Sequence, residues 1–465
     1  MRKSFLTASI ALFVAGVSLE ANATSLLDAY KDAMQNDPQT LKAKAQYDIS
    51  RESEELAFSR LLPTIAFTGS YTIATSESER DFTPGSVEDG GDGIANPEIF
   101  DTDSNTLRYG FSLSQNIFKM GDWYKLDAAE KRALQAQAGY DLTQQALISR
   151  VTQAYFNVLK AQDNLEFVRA EKKAIERQLE QTKQRFNVGL TAITDVHEAQ
   201  AKFDNSVATE IRSSNDVEIA KESLREITGK YYADFDGLNT ERFSATMPTP
   251  MKVQQWVTKS ENNNLELKSK ELVVEAAKYE IKEAGAGHYP TLDLTANYGA
   301  AETNADLKAS IGTINADDPR ALDSASIALN LTVPIYSGGA TSAAVRQAQA
   351  NYVLASEDRE LTHRSVVRQV RSSFADVVAL VSSLKALEQS VVSAESALKA
   401  TQAGFEVGTR TIVDVLNSTQ NLYRAKSTLS STRYDYILAM MTLKQSSGSL
   451  SASDIEAVNS GLSTN

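Results

Sequence analysis

Four segments of the chain alternate residue by residue between large apolar and small polar side chains, and this limits the chain to few folds. From Thr64 the first sets Ile65, Phe67, Tyr71 and Ile73 on one face against Thr64, Ala66, Thr68, Ser70 and Thr72 on the other. The second opposes Leu107, Tyr109, Phe111 and Leu113 to Arg108, Ser112 and Ser114. The third opposes Leu292, Leu294 and Tyr298 to Asp293, Thr295 and Asn297, and the fourth Ile327, Leu329, Leu331 and Val333 to Asn330 and Thr332. A period of two is that of a β-strand with one apolar face. Each segment is about ten residues long, as in the wall of a transmembrane barrel. A half-buried soluble sheet explains any one of them, but four together favour a water-filled barrel. Four strands cannot close, because membrane barrels need about eight or more and open edges are not tolerated in lipid. Copies must share a barrel: two would give eight strands around a filled interior, three would give twelve strands around a lumen. The small polar inner faces favour the lumen, hence a trimer.

The start of the chain agrees with export. Arg2 and Lys3 precede an apolar stretch from Phe5 to Leu19, and Ala21 and Ala23 form an A-x-A pattern. This is a secretory signal peptide over residues 1–23, with cleavage expected before Thr24. No later segment approaches the roughly 18 to 20 continuous apolar residues of a helical span. The chain has no cysteine, which removes disulfides and a thiol-linked lipid, so membrane attachment is expected from strands. A formal net charge of -13 argues against a nucleic-acid partner.

The chain is also written twice. The offset that carries Phe186 onto Phe405 also carries Val188 onto Val407, Gly189 onto Gly408, Ile193 onto Ile412 and Asp195 onto Asp414. The same offset pairs VTQAYFNV at Val151 with VRSSFADV at Val370, and nearby offsets pair LPTIAFTGSY at Leu62 with YPTLDLTANY at Tyr289. The period is too long for a solenoid and marks duplication of one large unit. The expected organisation is a first repeat over 24–229, a linker over 230–250, a second repeat over 251–448 and a tail over 449–465.

Between the first two strands, Glu77, Glu79, Asp81, Glu88, Asp89, Asp92, Glu98, Asp101 and Asp103 sit among glycines and prolines, which reads as a long outer loop. The matching segment runs from Glu302 to Ser324. DGGDG at Asp89 lacks EF-hand spacing, so a solvated acidic loop is the better reading. After each strand pair comes a helix of unusual length, about Gly121 to Asn187 and about Gly339 to Glu406, with no proline and almost no glycine. At about 1.5 Å per residue these are rods of roughly 100 Å. In the second, Val367, Val370, Phe374, Val377, Val381 and Leu384 form a coiled-coil seam. Each unit adds two shorter helices, about Leu26 to Arg60 with Asp195 to Thr228, and about Val253 to Ala284 with Val413 to Gln445. Laid end to end, each short pair matches one rod, giving a helical tube continuous with the barrel. The fold class is thus an α+β membrane protein: a trimeric, 12-stranded barrel on a long α-helical barrel.

The repeated stretches FNVGLTAITDV and FEVGTRTIVDV fall at the far turns of the rods. Gly189 and Gly408 suit the left-handed residue that ends a helix, and Thr411 and Asp414 have capping-box spacing. Asp195 and Asp414 therefore have a structural reading beside any functional one.

On these motifs, together with the duplication and the LPT and YPT strand pairs, the chain closely resembles the TolC family of outer-membrane ducts for drug efflux and type I secretion. The resemblance spans essentially the whole mature chain. It implies a trimeric barrel in the outer membrane, a helical barrel across the periplasm, and a mixed α/β belt around it. It implies a periplasmic adaptor docked at the tip turns (Gly189, Leu190, Gly408 and Thr409), an energised inner-membrane transporter of RND, ABC or MFS type, and opening by untwisting of the tip helices. The family's gate arginine falls on Arg410 and its partners on Thr194 and Asp195. A ring aspartate at the constriction falls on Asp414. Two positions depart: the gate tyrosine is Phe405 here, and the second ring aspartate is Asn417. Phenylalanine loses the hydroxyl and asparagine the charge.

No cofactor or metal is expected. His197, His288 and His363 are scattered. Trp123, Tyr124 and Tyr109 suit an aromatic girdle or packing at the barrel-to-helix junction. No catalytic constellation stands out, which makes an enzyme the weakest reading. A passive porin has no use for the rods, and a coiled-coil tether has none for lipid-facing strands.

Overall fold

The computed structural model describes residues 23–81, 97–309 and 312–463. In chain order its main elements are α1 (Leu26–Asn36), α2 (Pro38–Ser59), β1 (Thr64–Asp81), β2 (Pro97–Phe118), α3 (Met120–Asn187) and α4 (Ile193–Thr228). A two-residue β3 (Gly237–Leu238) follows. Then come α5 (Val253–Asn263), α6 (Leu265–Gly285), β4 (Thr291–Ala309), β5 (Gly312–Thr332), α7 (Ala340–Glu406), α8 (Ile412–Ser446), α9 (Ala452–Asn459) and β6 (Leu462–Ser463). The chain is mostly helical and packs as two units. One comprises Gln46–Gln137 and Ser269–Leu361, the other the residues up to Ala45, Ala138–Lys268 and those from Thr362 onwards.

The first unit is organised by an antiparallel sheet in the order β1-β2-β4-β5. Its register aligns the apolar faces across every strand. Ile65 lies opposite Leu113, Phe67 opposite Phe111 and Tyr71 opposite Leu107. Phe111 lies opposite Tyr298, Leu294 opposite Leu329, and Ala296 opposite Ile327. Phe67 and Phe111 meet at 5.1 Å between ring centroids, an attractive cross-strand pair. The opposite face carries Thr68, Ser70, Ser112, Thr295, Asn297 and Ser326. Among the described residues nothing covers the apolar face, and Ile327 is 82% exposed. β1 and β5, of 18 and 21 residues, form the two edges of the sheet.

All four strands are longer than the alternation predicts. Pairing continues past Ile73 to Asp81, which lies opposite Pro97. The backbone ladder does not need an apolar face, so the strands run on where their side chains are acidic. Glu77, Glu79, Asp81, Glu98, Asp101 and Asp103, expected in a loop, therefore belong to β1 and β2. Glu88, Asp89, Asp92 and the DGGDG stretch lie outside the described residues, as does the signal peptide up to residue 22. Most of Glu302–Ser324 likewise lies in β4 and β5.

The second unit has its main core where α1, α3, α4, α8 and α9 meet. Leu26, Ala29, Leu147, Val151, Tyr155, Phe156, Leu224, Tyr434 and Ile455 are buried there. Full burial of such apolar side chains stabilises by about 1.5 to 3 kcal/mol each relative to exposure. The Tyr155 hydroxyl donates to the carbonyls of Thr24 (2.8 Å) and Asp236 (3.0 Å). Burial, with the nearby Asp236 carboxylate, pushes this phenol far above its ordinary pKa, so it remains a donor. A second core holds Trp256, Val257, Val366, Val370, Val377, Leu384, Tyr436 and Leu443, with Val367, Phe374 and Val381 packed against it. The heptad spacing of Val370, Val377 and Leu384 puts all three on the buried side of α7.

Two expected helices are broken. The stretch from Leu26 to Arg60 divides at Asp37, because Pro38 disfavours helical geometry in the residue before it. The buried Asp37 carboxylate accepts the Thr40 N–H (2.8 Å) and hydroxyl (2.6 Å) and pairs with Arg150. The stretch from Val253 to Ala284 divides at Asn264, whose side chain accepts the Leu267 N–H (3.0 Å) and donates to the Ser446 carbonyl (3.0 Å). The expected linker, and the expected tail as far as Ser463, also carry defined structure. Phe235 bridges Thr24, β3 pairs with β6, and Ser451 and Asp454 cap α9.

Candidate functional site

The two turns that join α3 to α4 and α7 to α8 close with matching backbone bonds. In the first, Gly189 N–H donates to Phe186 (2.9 Å) and Leu190 N–H to Arg185 (2.9 Å). In the second, Gly408 N–H donates to Phe405 (3.1 Å) and Thr409 N–H to Gly404 (2.8 Å). Both glycines are left-handed, at φ +78 and +79, the conformation that lets a helix end in one residue. The turns differ at the next helix start. Thr411 caps α8, and its hydroxyl accepts the Asp414 N–H (3.3 Å). Asp414 replies by accepting the Thr411 N–H (2.9 Å) and hydroxyl (3.0 Å). Ala192 stands at the matching position of the first copy and cannot cap, so Asp195 takes the hydroxyl of Thr191 instead.

The Asp414 carboxyl lies below the usual range, held there first by the Thr411 N–H, then by the Thr411 hydroxyl and the charge of Arg410. It is therefore a carboxylate at neutral pH. The Arg410 N–H donates to the Gly404 carbonyl (3.2 Å), but its side chain makes no hydrogen bond or ion pair among the described residues; it is exposed, with its stem against Gly404. Thr194 and Asn417 are exposed as well. The structure thus brings Asp414 to Thr411 and Asp195 to Thr191, and leaves Arg410 unbonded to Thr194 or Asp195 within the protomer.

Phe405 is no surface residue. It is 6% exposed, packed with Ile175, Leu179, Ala199, Ile412, Val415 and Leu416 from α3, α4 and α8. The guanidinium of Arg185 lies 4.7 Å over its ring. Arg185 is missed by sequence reasoning, because nothing local connects it to a residue so far along the chain. Farther up the same helices, Arg169 and Lys172 of α3 pair with Glu210 of α4, and Lys426 of α8 with Glu395 of α7. Among the described residues no group of three or more His, Asp or Glu converges as metal ligands.

The sequence matches the family model described as outer membrane efflux protein twice, over residues 29–230 and 256–449. It is 43% identical over 440 residues to the outer membrane protein TolC of Vibrio cholerae, covering 95% of this chain and 94% of that one. It is 40% identical over 462 residues to the outer membrane protein TolC of Escherichia coli, covering 99% and 90%. In three dimensions it resembles the CmeC outer membrane channel of Campylobacter jejuni with a TM-score of 0.72, at 15% identity and over 99% of this chain and 97% of that one. The apolar sheet face, the repeated helical turns and these matches converge on one conclusion: the chain belongs to the outer membrane efflux protein family.

Proposed function

We propose that three copies of this chain form one export duct from the periplasm through the outer membrane, where the protein resides. Four strands from each copy close a 12-stranded barrel, which continues into a periplasmic helical barrel. The duct carries drugs, toxic compounds or proteins, like the efflux and secretion ducts it resembles, and carries out no catalysis. The observation that supports this best is the sheet itself: two long unpaired edges, one apolar face for lipid and one small polar face for water. The helices of the same unit agree. Leu56 of α2 is 68% exposed and Leu361 of α7 66% exposed, apolar positions that a neighbouring copy would cover. α7 also holds a stretch long and apolar enough to cross a membrane, little of it buried; contact between copies accounts for it without a helical membrane span.

The two turns are the gate at the periplasmic end. Arg410 bridges to Thr194 and Asp195 of a neighbouring copy, since neither is its partner within one protomer. Phe405 packs the turn from inside. Asp414 and Asn417 ring the constriction, and Gly189, Leu190, Gly408 and Thr409 present the turns to a periplasmic adaptor, which recruits an inner-membrane transporter of RND, ABC or MFS type. A second reading of Asp414 is favoured by its geometry: two bonds to Thr411 make it a helix cap, and a carboxylate with free lone pairs can also face the axis. The leader over 1–23, the two repeats, the linker over 230–250 and the tail over 449–465 complete this reading. Mass measurement and planar-bilayer recording of the detergent-purified protein test it. A trimer that conducts is the expected result, and a folded, non-conducting monomer overturns it.

A further inference from the structure

We propose that Arg185 is a second fastening of the gate: its guanidinium, laid over the buried Phe405 ring, ties the α3–α4 turn to the α7–α8 turn within each protomer. The inference rests on reading these turns as a gate and adds a residue to it.

Three observations carry it. The guanidinium carbon stands 4.7 Å from the ring centroid, well inside the roughly 6 Å reach of a cation–π contact. The ring is held fixed by Ile175, Leu179, Ala199, Ile412, Val415 and Leu416. Arg185 Nε is shielded from solvent and has no hydrogen-bond partner among the described residues. That edge of the cation has lost water, which strengthens its attraction to the ring face.

The backbone makes the stack a mechanical link. The Arg185 carbonyl accepts the Leu190 N–H that closes the first turn, and the Phe405 carbonyl accepts the Gly408 N–H that closes the second. One partner is thus built into each turn. The α7–α8 turn cannot move away from α3–α4 without lifting the cation off the ring. A ring face suffices for this contact, so phenylalanine serves where a hydroxyl-bearing side chain is expected.

The test is single-channel conductance of purified trimers in planar bilayers, with thermal melting as the control. Arg185→Met keeps an unbranched stem and removes the charge; Phe405→Leu keeps an apolar filler and removes the ring. Each is expected to lower the closed-to-open ratio about threefold per protomer. The double variant should do no more than either single one, Arg185→Lys should recover part of the loss, and Phe405→Tyr should remain sensitive to Arg185→Met. If Arg185→Met conducts like the parent while Arg410→Ala opens the channel, the fastening is absent and the gate reading stands. Additive effects in the double variant, or a lowered melting temperature with unchanged conductance, assign Arg185 to packing and overturn the proposal. If neither arginine variant alters conductance, the gate reading itself fails.

Discussion

Replacing Arg410 by alanine should open the channel without weakening the protomer, and the structure says why the two effects separate. The side chain is exposed, rests its stem on Gly404, and bonds to nothing else among the described residues. Substitution at such a position changes protomer stability by about 0.5 kcal/mol or less. Any larger effect must come from contacts that exist only between copies. A charge-assisted contact of an exposed arginine contributes about 1 kcal/mol, well short of a buried pair. Three such contacts sum to about 3 kcal/mol, which moves a closed-to-open ratio by about 150-fold. Purified Arg410→Ala trimers should therefore show markedly raised conductance in planar bilayers and a melting temperature within a few degrees of the parent. Cells carrying the variant should admit large antibiotics. Parent-like conductance would mean that the repeated motif is only a turn and a cap, with the gate elsewhere.

Two further predictions concern carboxylates. Asn417→Asp would add a second acid near Asp414, so divalent cations applied from the periplasmic side should block currents more tightly; unchanged block places that side chain off the axis. Burial pushes the Asp37 carboxyl up, but the Thr40 hydroxyl, Arg150 and the Thr40 N–H outweigh it and leave its pKa lowered. Its stabilisation is then complete above the unfolded value of about 3.9 and lost as pH falls through the lower folded value. Asp37→Asn should flatten the fall in melting temperature below about pH 4, and an unchanged acid slope contradicts this.

The amphipathic faces and the long helices were legible because each is a local pattern. Ile65 to Ile73 announce β1, and the heptad of Val370, Val377 and Leu384 announces the buried seam of α7. What lay beyond the patterns was harder to read. β1 runs on to Asp81 through residues that carry no apolar alternation, since the ladder is made by the backbone. Pro38 marks the break at Asp37, which the reading of one helix from Leu26 to Arg60 misses, while at Asn264 the only local signal is a side chain able to cap. The Thr411–Asp414 cap could be read from spacing, but the Arg185–Phe405 stack could not. It joins residues from opposite halves of the chain and exists only once four helices have packed.

In a shared barrel, β1 of one copy pairs with β5 of the next. The chain has no cysteine, so introduced pairs report without background. Thr68→Cys on β1, combined in turn with Ser324→Cys, Ser326→Cys or Ala328→Cys on β5, should on oxidation give a covalent ladder that ends at three chains. A ladder ending at two, or crosslinks confined to a single chain, would contradict the shared barrel.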